Sequence, residues 1–225
     1  MTYTRLLQHR APDGARSVIL AEGDSAHFLK GVTTVRELAL RAIAAGETLA
    51  ATANACPAGD AVDIAAEFGA GRLLAPIDHE DPAHLLMTGT GLTHLGSAEG
   101  RDKMHKAAAS SDKQTDSMRM FLEGLEGGKP AAGQVGQQPE WFYKGDGSQL
   151  VGPTDPFTMP AFSQDGGEEP EMAGIYIVGE DGTPYRLGLA IANEFSDHVT
   201  EYVELLDSLG VDKFYVTGSS MGASW

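Results

Sequence analysis

Glu169 and Glu171, in Gly166-Gly-Glu-Glu-Pro-Glu171, and Glu194, in Asn193-Glu-Phe-Ser-Asp-His198, are the residues of this chain whose types and spacing best suit chemistry. Residues two apart on a strand share a face, and residues directly opposite on a neighbouring strand sit roughly 5 Å apart. If one hairpin joins these carboxylates, three anions converge on one patch and repel one another. A hard divalent cation with oxygen ligands, Mg²⁺ for preference or Mn²⁺, turns that penalty into a binding site. Glu168 to Glu171 also read as a solvated acidic loop, and spacing alone leaves both readings open.

The elements that would position these residues are legible. Met172-Ala-Gly-Ile-Tyr-Ile-Val178 is apolar and β-branched, Tyr185-Arg-Leu-Gly-Leu-Ala-Ile-Ala192 is its return strand, and Asp181-Gly182 is a two-residue turn signal. That turn sets Glu180 opposite Thr183, Glu171 opposite Ala192 and Glu169 opposite Glu194. Upstream, residues 1 to about 72 read as a small α/β unit with no visible chemistry. Its strand is Ser17-Val-Ile-Leu-Ala21, and its amphipathic helix is Thr34 to Ala45, ended by Gly46. A second region opens at Arg72-Leu-Leu-Ala-Pro-Ile77 and runs into a polar, helical segment, 100 to 124, whose composition suits a lid. The stretch 125 to 168 is rich in Gly, Pro and Gln, fitting loops and short strands, with Trp141-Phe-Tyr-Lys144 as one compact apolar cluster. Thr88-Gly-Thr-Gly91 is too short for a nucleotide loop, and Gly128-Lys129 is followed by Pro130 where a phosphate loop needs Ser or Thr.

With 16 Lys plus Arg against 32 Asp plus Glu, the formal charge is −16, which argues against nucleic acid or an anionic membrane as partner. Cys56 is the single cysteine, so no internal disulfide or thiolate cluster forms, and a reducing cytoplasm is the expected compartment. No segment approaches the roughly 18 uninterrupted apolar residues of a membrane span, and the first residues lack an apolar stretch of signal-peptide length.

Read in order, Leu73-Leu-Ala-Pro76, Gly91-Leu-Thr-His94 to Glu99, Trp141-Phe-Tyr-Lys144, Glu169-Pro-Glu171 and Asn193-Glu-Phe-Ser-Asp197 resemble the fumarylacetoacetate hydrolase family. The phrasing Gly91 to Asp102, Gly127-Gly-Lys-Pro-Ala-Ala-Gly133 and Asn193 to His198 is most similar to its sugar-acid branch, the 2-keto-3-deoxy-L-arabonate and 2-keto-3-deoxy-D-xylonate dehydratases. The resemblance covers residues 1 to about 200. It implies an α+β chain: an N-terminal unit over 1–72, then part of a β-rich catalytic barrel over 73–200. It implies Mg²⁺ held by Glu169, Glu171 and Glu194, a lid carrying His94 and Glu99 as an acid-base pair with His105 behind them, and Lys144 as a cation close to the metal. A homodimer is the assembly it implies. Two departures stand out: Glu194 stands where many relatives have Asp, and His94 occupies the usual Tyr position of the lid motif, whose usual His falls at Ser97. Asp197 and His198 adjoin Glu194, but strand alternation points neighbours to opposite faces. Lys144 also reads as a solvent-facing lysine and His94 as an exposed one.

The implied function is metal-dependent dehydration of a 2-keto-3-deoxy sugar acid. Such a substrate offers its carboxylate and keto oxygens as a chelate, and general acid-base help contributes typically 10²- to 10⁴-fold. The alternatives are hydrolysis of a carbon-carbon bond in an acylpyruvate-type substrate, or a non-catalytic fragment that binds a divalent cation. Beyond Glu201 the resemblance stops. Residues 202–225 resemble a different family, the α/β-hydrolases, with Gly218-Ser-Ser220-Met-Gly222 as a nucleophile elbow. All seven His precede Ser220 and no acid follows it, so an active serine triad is not expected. A truncated or fused reading frame is the reading that joins the two resemblances.

Overall fold

Strand pairing in the first third of the chain follows from two glycine turns. The computed structural model describes residues 3–90, 116–138, 141–159, 161, 163–164 and 166–196. Gly14 (φ +88°) and Gly23 (φ +58°) lie between strands β1 (Thr4–Arg10), β2 (Arg16–Glu22) and β3 (Ser25–Leu29). A side chain is rarely tolerated at such φ, so glycine is needed at both turns. β1 and β2 pair antiparallel from Thr4↔Glu22 to Arg10↔Arg16, and β3 pairs with β2 from Ile19↔Phe28 to Glu22↔Ser25. The short strand β4 (Ala58–Ala61) completes a four-stranded antiparallel sheet in the order β1-β2-β3-β4.

Helix α1 (Val35–Ala45) forms where the sequence predicts it. The Thr34 hydroxyl accepts the Glu37 N–H at 3.0 Å, Glu37 reaches back to the Thr33 N–H at 2.9 Å, and Gly46 closes the helix at φ +66°. Helices α2 (Leu49–Ala55) and α3 (Ile64–Gly69) follow. The core of this unit is Val18, Leu20, Leu29, Val32, Val35, Leu38 and Ala53.

Buried Gln8 fastens three segments at once. Its amide donates to the Ala75 carbonyl at 2.9 Å, its oxygen accepts the Val35 N–H at 3.0 Å, and its backbone carbonyl accepts the Leu74 N–H at 2.9 Å. Residues 72–75, read from sequence as the opening of a second region, therefore run along the outer edge of β1, with an isolated bridge between His9 and Leu73.

Among the described residues, those up to Leu85 and those from Asp146 onward form one compact unit, and Leu86 to Gly145 form another. The first unit regains the chain at Gly147, whose N–H is shared between the Pro82 and Leu85 carbonyls at 3.0 Å each. It also holds the ribbon of β7 (Gly167–Val178) and β8 (Pro184–Ser196). The second unit holds the two-stranded sheet of β5 (Leu86–Thr90) and β6 (Trp141–Asp146), and helix α4 (Asp116–Gly127). Of the helical stretch expected at 100–124, only its end falls among the described residues, and it is helical.

The chain is α+β: helices with antiparallel sheets. No barrel is present among the described residues, whose strands form one four-stranded and two two-stranded sheets. Trp141-Phe-Tyr-Lys144 lies on β6, one of the short strands expected in this stretch, and its side chains alternate. Trp141 and Tyr143 are exposed while Phe142 and Lys144 are half-buried, because strand geometry sends successive side chains to opposite faces. Among the described residues no helix is long and apolar enough to cross a membrane.

Candidate metal centre on the β7–β8 ribbon

The ribbon forms because Ala173 to Val178 and Tyr185 to Ala192 supply β-branched and aromatic side chains on both sides of a Gly-containing turn. The turn takes one residue more than the sequence suggests. Gly179 donates its N–H to the Thr183 carbonyl at 2.9 Å, and Gly182, at φ +79°, donates to the Gly179 carbonyl at 2.9 Å. The loop is thus Glu180-Asp181-Gly182, a tight turn followed by one left-handed residue. Asp181 braces it, its carboxylate accepting from the Thr183 N–H at 3.0 Å and the Thr183 hydroxyl at 2.8 Å. Those bonds hold the Asp181 carboxyl below the usual carboxylate range.

A three-residue loop alone would set Asn193, not Glu194, opposite Glu169. A bulge corrects this. The register runs Val178↔Pro184, Ile177↔Tyr185 and Tyr176↔Arg186, then steps to Ile175↔Gly188, leaving Leu187 as the surplus residue on β8. Beyond the bulge the pairs are Ala173↔Ala190, Glu171↔Ala192 and Glu169↔Glu194. The expected register at the acidic end is therefore observed, although the expected turn is not.

Ligand-capable oxygens of Glu169, Glu171 and Glu194 all lie within 4.8 Å of one another. Glu169 and Glu194 are half-buried and Glu171 is exposed. The three share the ribbon face that carries the half-buried Ala173, Ile175, Ile177, Tyr185, Leu187 and Ala190. The opposite face begins with Glu168 beside Phe195, whose ring lies 5.6 Å from that of Phe157, and continues through Met172, Tyr176, Val178, Leu189 and Ile191, all exposed. The donor set is all carboxylate, matching a hard cation and giving no soft nitrogen or sulfur ligand. These three acids could hold a metal ion.

Lys144 lies on β6 in the second unit and is half-buried. His94, Glu99, His105, Asp197, His198, Ser220 and the elbow-like tail lie outside the described residues. Cys56 is free and half-buried.

One polar network was missed in a region read as chemically silent. His9, 5% exposed, places Nε2 2.7 Å from Glu67 Oε2 and Nδ1 3.2 Å from the Ser17 hydroxyl. Arg72 holds the same Glu67 through Nε at 2.5 Å and Nη2 at 2.9 Å. The Arg72 guanidinium is the main reason the Glu67 carboxyl titrates at about 2, with His9 adding to it. The connectivity is serine, histidine, acid, but it ties α3 and residues 72–75 to the edge of β1, which is a fastening role. The pairing of His9 with Ser17 follows from the β1–β2 register; Glu67, 58 residues away from His9, carries no sequence signal for it.

No family model, no curated protein and no solved structure matches the chain.

Proposed function

We propose that this chain is a divalent-metal-dependent lyase of the fumarylacetoacetate hydrolase type that removes water from a 2-keto-3-deoxy sugar acid. The convergence of Glu169, Glu171 and Glu194 on one ribbon face is the observation that carries this reading. The donor set fits Mg²⁺ first and Mn²⁺ second, because both take carboxylate oxygens and leave room for substrate oxygens. A bound ion of that class supplies Lewis-acid polarisation of the substrate's keto and carboxylate oxygens.

The chain's own residues would do the rest. Two half-buried carboxylates and one exposed carboxylate give a site that is anchored on one side and open to a small anion on the other. On the resemblance alone, Lys144 would orient the substrate carboxylate, which matters in a chain of net charge −16, whose general field repels anions. On the resemblance, His94 and Glu99 would take the proton from C3 and deliver one to the departing C4 hydroxyl, so that one water leaves per turnover. A cytoplasmic homodimer is the setting this reading implies.

The test is product analysis on a panel of 2-keto-3-deoxy sugar acids with Mg²⁺ present. The expected product is a single molecule lighter by one water, lost with Glu169→Ala. Two fragments would favour hydrolysis of an acylpyruvate-type substrate. Metal-dependent stabilisation without any turnover would identify a non-catalytic metal-binding chain.

A further inference from the structure

Gly89 lies inside β5, next to Lys144 in the same two-stranded sheet. A glycine in a strand interior weakens the strand, so its presence needs a cause. The backbone supplies none: Gly89 is not among the glycines at positive φ, and any residue could adopt its conformation. The space a side chain would take is instead occupied by the Lys144 stem. A Cβ built on Gly89 would stand 2.3 Å from Lys144 Cε, 3.2 Å from Cδ and 3.2 Å from Nζ. Carbon atoms in good contact sit at about 3.5–4.0 Å, so any side chain at 89 must evict the lysine stem. The bare strand backbone is the bed on which the end of that stem lies.

We infer that Gly89 is a positioning residue, whose missing side chain fixes where the Lys144 ammonium sits. A half-buried lysine normally has many rotamers that carry its charge outward to water. Laying Cδ, Cε and Nζ against the strand at Gly89 selects among them. The inference rests on the proposed function only for its consequence in turnover, since the placement itself is a property of the sheet.

The experiment separates the two. Acylation of Lys144 by a lysine-directed ester, read by peptide mass spectrometry in the full chain with exposed Lys129 as internal standard, reports the stem directly. Gly89→Ala should raise the Lys144 to Lys129 labelling ratio, because the evicted stem moves outward; an unchanged ratio overturns the inference. Lys144→Ala should remove the obstacle. The double variant Gly89→Ala/Lys144→Ala should therefore melt no lower than Lys144→Ala alone, and should rescue folding if Gly89→Ala alone fails to fold. A further loss in the double variant overturns the inference. On the dehydration reaction, Gly89→Ala should lower kcat by up to about 100-fold with a smaller change in KM, as misplacement by an ångström does. A changed labelling ratio with unchanged turnover supports the positioning and removes Lys144 from the proposed reaction.

Discussion

Replacing Glu171 by Gln should push the ribbon in opposite directions with and without metal. Two unit charges 4.8 Å apart repel by about 0.9 kcal/mol in water, and physiological salt with its Debye length of about 8 Å cuts this to roughly 0.5 kcal/mol. Glu171 takes part in two of the three pairs, so Gln relieves about 1 kcal/mol, and the metal-free variant is more stable than the parent. In the parent, metal at 100 times its Kd adds about 2.7 kcal/mol, and the variant should lose most of that gain. Native-state hydrogen exchange at the β7–β8 ladder amides is the suitable assay, because a two-stranded ribbon opens locally before the whole molecule unfolds. Metal-free protection should rise about fivefold in Glu171→Gln, whereas millimolar Mg²⁺ should raise parental protection by roughly 100-fold and leave the variant almost unmoved. If parental protection is the same with and without Mg²⁺ or Mn²⁺, the metal centre is refuted. If Glu171→Gln still responds in full, Glu171 is not a ligand.

Inserting one alanine between Ala190 and Ile191 should turn Glu194 to the opposite face while the ribbon survives, so the exchange response to Mg²⁺ disappears; deleting the surplus Leu187 should preserve it. Glu67 titrates at about 2 when folded, against an ordinary 4.5. Its contribution is therefore complete above about pH 4.5 and is lost as pH falls through 2. The shift is worth at most about 3.4 kcal/mol, and roughly half that after solvent screening of a side chain 18% exposed. Urea midpoints between pH 6 and 3 should show the loss, and Arg72→Met should flatten it. Gln8→Leu leaves the Val35 N–H and Ala75 carbonyl without their buried partner, and should lower the denaturation free energy by about 2–4 kcal/mol with an unchanged m-value.

The acidic end of the ribbon was readable from sequence for a reason that goes beyond good fortune. Strand identity came from the β-branched residues, and the facing of Glu169 with Glu194 depends only on the total number of residues between them and on face parity. The loop and the bulge each depart by one residue from an unbroken two-residue hairpin, in compensating senses, so Glu169 faces Glu194 in both geometries. α1 was equally legible because its caps, Thr34 and Gly46, are local signals. What local patterns could not convey is contact across long separations. The grip of Glu67 on His9 and the docking of residues 72–75 on β1 are set by tertiary packing, and nothing near His9 in the chain announces them. A run of aromatics likewise does not say which of them a strand will bury: alternation along β6 sends Trp141 and Tyr143 to solvent.

The outward face of the ribbon has a consequence for handling the protein. Met172, Tyr176, Val178, Leu189 and Ile191 stand between 57% and 91% exposed along one strip, and at neutral pH the surplus of acidic groups keeps such strips on different molecules apart. Near pH 4.7, where the sequence places the isoelectric point, that repulsion vanishes and the strip becomes adhesive. The protein should turn cloudy on acidification or in concentrated salt, and Ile191→Lys should keep it clear.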